Sequence, residues 1–73
     1  MIDDQTYNLN KGQTQLIYNE GQIYYIKLKK GGITIDNNGP NILFPADVYF
    51  NEGTKPSIVT ATEDNTVFIT GVH

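Results

Sequence analysis

The residues able to do chemistry are few and poorly placed for it. Nucleophilic catalysis needs a nucleophile beside a base, yet the chain holds no cysteine and a single histidine, His73, at its last position. Two adjacent carboxylate pairs, Asp3/Asp4 and Glu63/Asp64, could divide acid and base roles as catalytic carboxylates do. Neighbours in a strand point to opposite faces, however, and both pairs lie in polar segments that leave a carboxylate solvated. They read as solubilising or turn residues. Asp36-Asn37-Asn38-Gly39 has the composition of a calcium loop but lacks the alternating ligands and the distal bidentate glutamate, so a structural turn is the better reading. Gly31-Gly32 is not followed by the lysine and hydroxyl residue of a phosphate-cradling loop. No catalytic, cofactor-binding or metal-ligating residue is assigned and no cofactor is expected. The chain reads as a module that binds or builds, not as an enzyme.

Tyrosine is the commonest aromatic, at Tyr7, Tyr18, Tyr24, Tyr25 and Tyr49. A tyrosine on a β surface can stack on a sugar or anchor a protein interface, because its ring is apolar and its tip is wet. Most of these rings are expected to cover core edges. Tyr25 and Tyr49 are the candidate partner or glycan contacts, with Tyr25 favoured by its position in the strand pattern.

That pattern is β throughout. Extended stretches alternate or are rich in β-formers, and glycine, asparagine or proline closes each within a few residues. No segment holds a helical period. Strands are predicted near Thr14–Asn19, Gln22–Lys29, Ile33–Asp36, Ile42–Phe44, Val48–Phe50, Ser57–Thr62 and Thr66–Val72, giving an all-β fold, a small antiparallel sandwich or barrel-like module. In the second strand Tyr24, Ile26 and Leu28 share one face and Ile23, Tyr25 and Lys27 the other, and the first set is the better core. In the last strand Val67 and Ile69 oppose Phe68, so the strand is expected to be covered on both sides or to lie at a subunit contact. Pro45 cannot donate to a ladder, which predicts a bend between Phe44 and Val48. Residues 1–12, polar apart from Ile2, Tyr7 and Leu9, are either an N-terminal arm that orders on a partner or part of a first strand. Residues 13–73 form a single β domain.

A domain of 73 residues buries only about 60% of the surface its unfolded chain exposes. Small scaffolds offset a thin core with disulfides, metals or self-association. Without cysteine, association is the default expectation. Five lysines, no arginine and eight carboxylates leave a formal charge of −3, which argues against nucleic acid as a partner, since that affinity comes from clustered cations. The one basic cluster, Lys27, Lys29 and Lys30, reads as a solvated strand face. No apolar run approaches the ~20 residues that span a bilayer, and Met-Ile-Asp-Asp does not open like a signal peptide. Synthesis in the cytoplasm and no membrane partner are expected.

Phe44-Pro45-Ala46-Asp47-Val48-Tyr49-Phe50, then Gly53-Thr54-Lys55-Pro56-Ser57-Ile58, then Asn65-Thr66-Val67-Phe68 resembles a pattern of β modules in phage fibres and other tail or head appendages. That pattern is aromatic-Pro-x-x-Val-x-aromatic, Gly-Thr-x-Pro-x-apolar and a closing apolar strand, and the likeness runs from Gly21 to Gly71. The family often carries tryptophan where this chain has Phe44 and Phe50. The resemblance makes the motif architectural: Pro45 breaks pairing, Val48 and Phe50 bury one face, Gly53 turns the chain and Pro56 launches the next strand, with Ile58, Val67 and Ile69 completing the module. It implies a non-enzymatic virion structural protein, of capsid-decoration, head-fibre or tail-appendage type. Such a subunit would associate with itself, as a homotrimer by family analogy, and dock on another virion protein. A 73-residue chain fits a decoration or adaptor subunit better than a whole fibre. Two alternatives stand beside it: a carbohydrate-binding host-recognition module that contacts a surface glycan, and a small β-domain inhibitor of a host protein.

Overall fold

The computed structural model describes residues 4–37 and 39–73. Eight strands run in chain order: β1 (Gln5–Leu9), β2 (Thr14–Ile17), β3 (Tyr24–Lys30), β4 (Ile33–Asp36), β5 (Pro40–Leu43), β6 (Val48–Asn51), β7 (Ser57–Ala61) and β8 (Thr66–Val72). They form two four-stranded antiparallel sheets, β1-β8-β3-β6 and β2-β7-β4-β5, packed face to face as the all-β reading requires. Of the two readings held open for residues 1–12, Gln5–Leu9 takes the strand: it pairs with β8, Tyr7 stacks on Phe68 with ring centroids 5.2 Å apart, and the domain therefore starts before residue 13. Met1–Asp3 lie outside the described residues.

The core follows the parity of β3. Tyr24, Ile26 and Leu28 are fully buried and meet Ile17, Ile33, Ile35, Leu43, Val59 and Phe68, with Tyr7, Leu9 and Tyr49 packed at the edge. One end of this interior is polar. The Tyr24 hydroxyl lies 2.9 Å from the Ile17 carbonyl and 3.1 Å from Ser57 Oγ. Asn51 Nδ2 donates to Ser57 Oγ at 2.7 Å, and Asn51 Oδ1 accepts the Gly53 N–H at 2.7 Å. Among the described residues every buried side-chain nitrogen and oxygen has a partner, which is what a low-dielectric interior demands of polar groups.

Two turns explain how the chain changes sheets. After β5, Phe44-Pro45-Ala46-Asp47 closes through the Asp47 N–H to the Phe44 carbonyl at 2.9 Å, with Asp47 Oδ2 accepting the Phe44 N–H. Pro45 sits where a type II turn favours it, and Ala46 takes the following position at φ 79°, which normally goes to glycine. The Ala46 N–H and the Asp47 carbonyl both bond to Leu28, fastening the turn to β3 so that β6 emerges in the other sheet. The predicted bend is thus a turn between two short edge strands. After β6, Gly53 has φ +80°, and a Cβ there would fall 2.7 Å from the Gln22 nitrogen and 2.8 Å from the Asn19 carbonyl oxygen. Only glycine allows that close approach.

The packing role assigned to the motif residues is corrected by this architecture. Val48 and Phe50 do not bury a face: they are 42% and 54% exposed, and the inner positions of β6 are Tyr49 and Asn51. Phe44 and Ile58 are exposed as well, while Val67 and Ile69 are half-buried on the outside of β8 opposite Phe68. The hydrogen bonds that lock the inner face, from Asn51 to Ser57 and Gly53, fix the register, and a one-residue choice of register exchanges the two faces of a strand. Pro45, Gly53 and Pro56 keep their places in the turns.

Candidate functional surface

The parity that builds the interior leaves apolar side chains on both outer faces. On the β1-β8-β3-β6 sheet, cross-strand pairing sets Phe50 beside Tyr25 and Tyr25 beside Gly71. The next row runs Val48, Lys27, Ile69 and Thr6. Tyr25 lies over Gly71 because that residue has no side chain: a Cβ there would stand 3.1 Å from the Tyr25 ring and collide with Asp4. The Tyr25 hydroxyl bonds to the Asp4 carboxylate. That bond, helped by partial burial and by the carboxylate charge, holds the phenol above its ordinary pKa. His73 meets Phe50 edge to face with centroids 5.1 Å apart, and its N–H bonds to the Ile23 carbonyl, extending the platform past the end of β8.

The opposite face is built by β2, β7, β4 and β5. Leu16, Ile58, Asp36 and Pro40 form one cross-strand row, and Thr14, Thr60, Thr34 and Ile42 the next. Leu16, Ile42 and Ile58 are 59%, 65% and 45% exposed, and Phe44 beyond the end of β5 is 67% exposed. A shallow hollow of about 290 Å³ opens on this face between Thr34, Asp36, Pro40, Ile58 and Thr60.

The two tyrosines singled out from the sequence are not brought together. Tyr25 is on the outer surface as its parity predicts, but Tyr49 belongs to the inner side, half-buried against the core, and burial raises its phenol pKa. Its accessible edge joins Asn37, Phe50, Asn51, Glu52 and Thr54 around a depression of about 220 Å³ at the end of the sandwich. As a glycan or partner contact Tyr49 therefore cannot act with Tyr25. The acidic segments hold turns: Asp64 Oδ1 accepts the Lys11 N–H at 3.0 Å, and Asn37 Nδ2 donates to the Lys55 and Pro56 carbonyls. Asp3 and Asn38 lie outside the described residues. Sequence reasoning missed Phe50 as a surface aromatic, and its pairing with Tyr25 follows only once β3 and β6 are known to be neighbours.

Comparison with solved structures gives a close match to the solution NMR structure of a de novo designed double-stranded β-helix, with TM-score 0.79 and 18% identity over 97% of this chain and 99% of that one. The fold is a double-stranded β-helix. In it, both sheets wind together as one antiparallel ribbon, so the outer rows just described are the two broad faces of the double-stranded β-helix. At 18% identity the likeness concerns backbone architecture alone. No family model matches the chain, and no curated protein matches it.

Proposed function

We propose that this chain is a non-enzymatic assembly module: a structural subunit that associates with copies of itself and docks on a second protein. The observation that carries the reading is the set of large apolar side chains on the outside of a satisfied core, Phe50 and Val48 on one face and Leu16, Ile42, Phe44 and Ile58 on the other. Contiguous exposed apolar surface on a small domain marks interaction sites, and a thin core gains stability from association. The resemblance of the Phe44–Phe50 and Gly53–Ile58 segments to phage appendage modules supports a place in a virion, as a decoration, head-fibre or tail-appendage subunit. The double-stranded β-helix is compatible with that place, since jelly rolls of this kind recur in capsid proteins; this is an analogy of fold.

Sedimentation equilibrium from micromolar to millimolar chain tests the association. Mass increasing above that of one chain is expected, and a monomer at every concentration overturns the reading. Mass spectrometry of purified particles tests the virion assignment, which requires the chain in fixed stoichiometry. A glycan-binding reading is favoured by one observation, the Phe50, Tyr25 and His73 rings gathered beside Asp4. It expects Tyr25→Ala to abolish retention on a glycan array while circular dichroism shows the chain still folded.

A further inference from the structure

The two apolar faces differ in charge: the first holds three lysines against one carboxylate, Asp4, which is already engaged by the Tyr25 hydroxyl, and the second presents the carboxylate of Asp36. On the β1-β8-β3-β6 sheet, Lys27 stands exposed between Val48 and Ile69, and Lys29 and Lys30 follow it, also exposed. On the β2-β7-β4-β5 sheet, Asp36 stands exposed between Ile58 and Pro40 and lines the hollow. Neither Lys27 nor Asp36 forms an ion pair among the described residues. A flexible stem carrying one cation, set among apolar neighbours, thus faces one way; a hollow with one anion, also set among apolar neighbours, faces the other.

Resting on the proposed self-association, we infer that the occupant of each face is the opposite face of another copy, Lys27 of one chain entering the hollow beside Asp36 of the next. Complementary potential fixes the partner and the register of such a contact, and like charges brought together disfavour the alternative of two identical faces meeting. That alternative would gather the exposed Lys27, Lys29 and Lys30 of both copies into one contact. The size is sufficient: extents of 31 × 27 × 18 Å give broad faces able to supply the roughly 800 Å² per partner of a stable interface. The contact is heterologous, and because the two faces lie on opposite sides of the sandwich it repeats into an open column and does not close at three copies.

Charge reversal tests this by sedimentation, with circular dichroism and thermal unfolding verifying that each variant folds. Lys27→Glu sets a second carboxylate against Asp36, and Asp36→Lys sets a second ammonium against Lys27, so each variant alone is expected to associate at least about tenfold more weakly than the parent. In an equimolar mixture the two reversed side chains meet as an opposite pair, and association returns towards the parent's level. The neutral variants Lys27→Gln and Asp36→Asn weaken association individually, and their mixture recovers only the contact between the intact Lys27 of one and the intact Asp36 of the other, so it stops at pairs where the charge-reversed mixture continues to larger assemblies. The inference is overturned if Lys27→Glu weakens association while Asp36→Lys does not, if the mixture stays as weak as its components, or if the parent stops at a closed trimer. Each of those results leaves self-association standing. A parent that is monomeric throughout removes both readings together.

Discussion

Tyr24 and Ser57 meet across the interior, their hydroxyl oxygens 3.1 Å apart, one from each sheet of the sandwich. The same Tyr24 hydroxyl reaches the Ile17 carbonyl, and Asn51 Nδ2 holds Ser57 Oγ from the other side. Tyr24→Phe leaves the ring in place and strips the Ile17 carbonyl of this partner, so it is expected to lower unfolding free energy by about 1–3 kcal/mol in urea titration. An unchanged midpoint and slope would show that the bridge contributes nothing.

Alkaline pH should act on the same group. Burial foremost raises the Tyr24 and Tyr49 phenols, and the bond to Asp4 foremost raises Tyr25. The folded chain holds these protons more tightly than the unfolded chain, so the stability they contribute is complete below about pH 10. It declines as pH rises through the higher folded values, because the unfolded state then binds fewer protons. Denaturation midpoints measured from about pH 8 to about pH 11.5 should fall above the ordinary phenol value of about 10, and fall less steeply in the Tyr24→Phe and Tyr49→Phe variants.

Ala46 is a left-handed alanine in a turn that favours glycine. The Cβ strain of that conformation, about 1–2 kcal/mol, exceeds the backbone entropy that glycine gives up on folding, about 0.5–1 kcal/mol. Ala46→Gly should therefore stabilise the chain and raise the melting temperature by a few degrees. A lower melting temperature would contradict this account of the turn.

Gly53 requires the reverse outcome. Gly53→Ala adds a Cβ that meets the backbone of Asn19 and Gln22, atoms that cannot rotate away, at a φ disfavoured for side chains. A loss on the order of 3 kcal/mol is expected, and calorimetry within about 0.5 kcal/mol of the parent, the range of an ordinary surface change, would refute it.

Ile58 and Val59 are sequence neighbours with opposite duties: the first is 45% exposed and the second fully buried. Val59→Ala should lower monomer stability by about 1–3 kcal/mol. Ile58→Ser should leave dilute-solution unfolding within about 0.5 kcal/mol and weaken association. Reversal of these two effects would invert the assigned faces of β7.

The legibility of the sequence varied strand by strand for physical reasons. β3 could be read because one of its faces holds Tyr24, Ile26 and Leu28 and the other holds two lysines. β6 could not: Val48 and Phe50 look like the core face, and the true inner pair, Tyr49 and Asn51, is there because Asn51 bonds to Ser57 and Gly53, partners that only the tertiary fold supplies. Pro45 announced the bend, but the fastening of the turn to Leu28 is a contact across the sheet that local residues do not encode. Tyr25 was recoverable from parity alone. Its neighbour Phe50, and the opposition of Lys27 to Asp36, depend on strand order.

Strand order also governs how the molecule is reached from the unfolded chain. Among the described residues, β4 and β5 are the one pair of consecutive strands that share a ladder, through the short turn after Asp36; the remaining ladders join strands distant in sequence, with β1 and β8 closing the two ends of the chain on each other. Each of those ladders must wait for a long loop to close before contacts reward it, which slows folding. A chain with this wiring is expected to fold in milliseconds to seconds, and until β8 arrives between β1 and β3 the two edges it will cover, one on each of those strands, stand open to strangers.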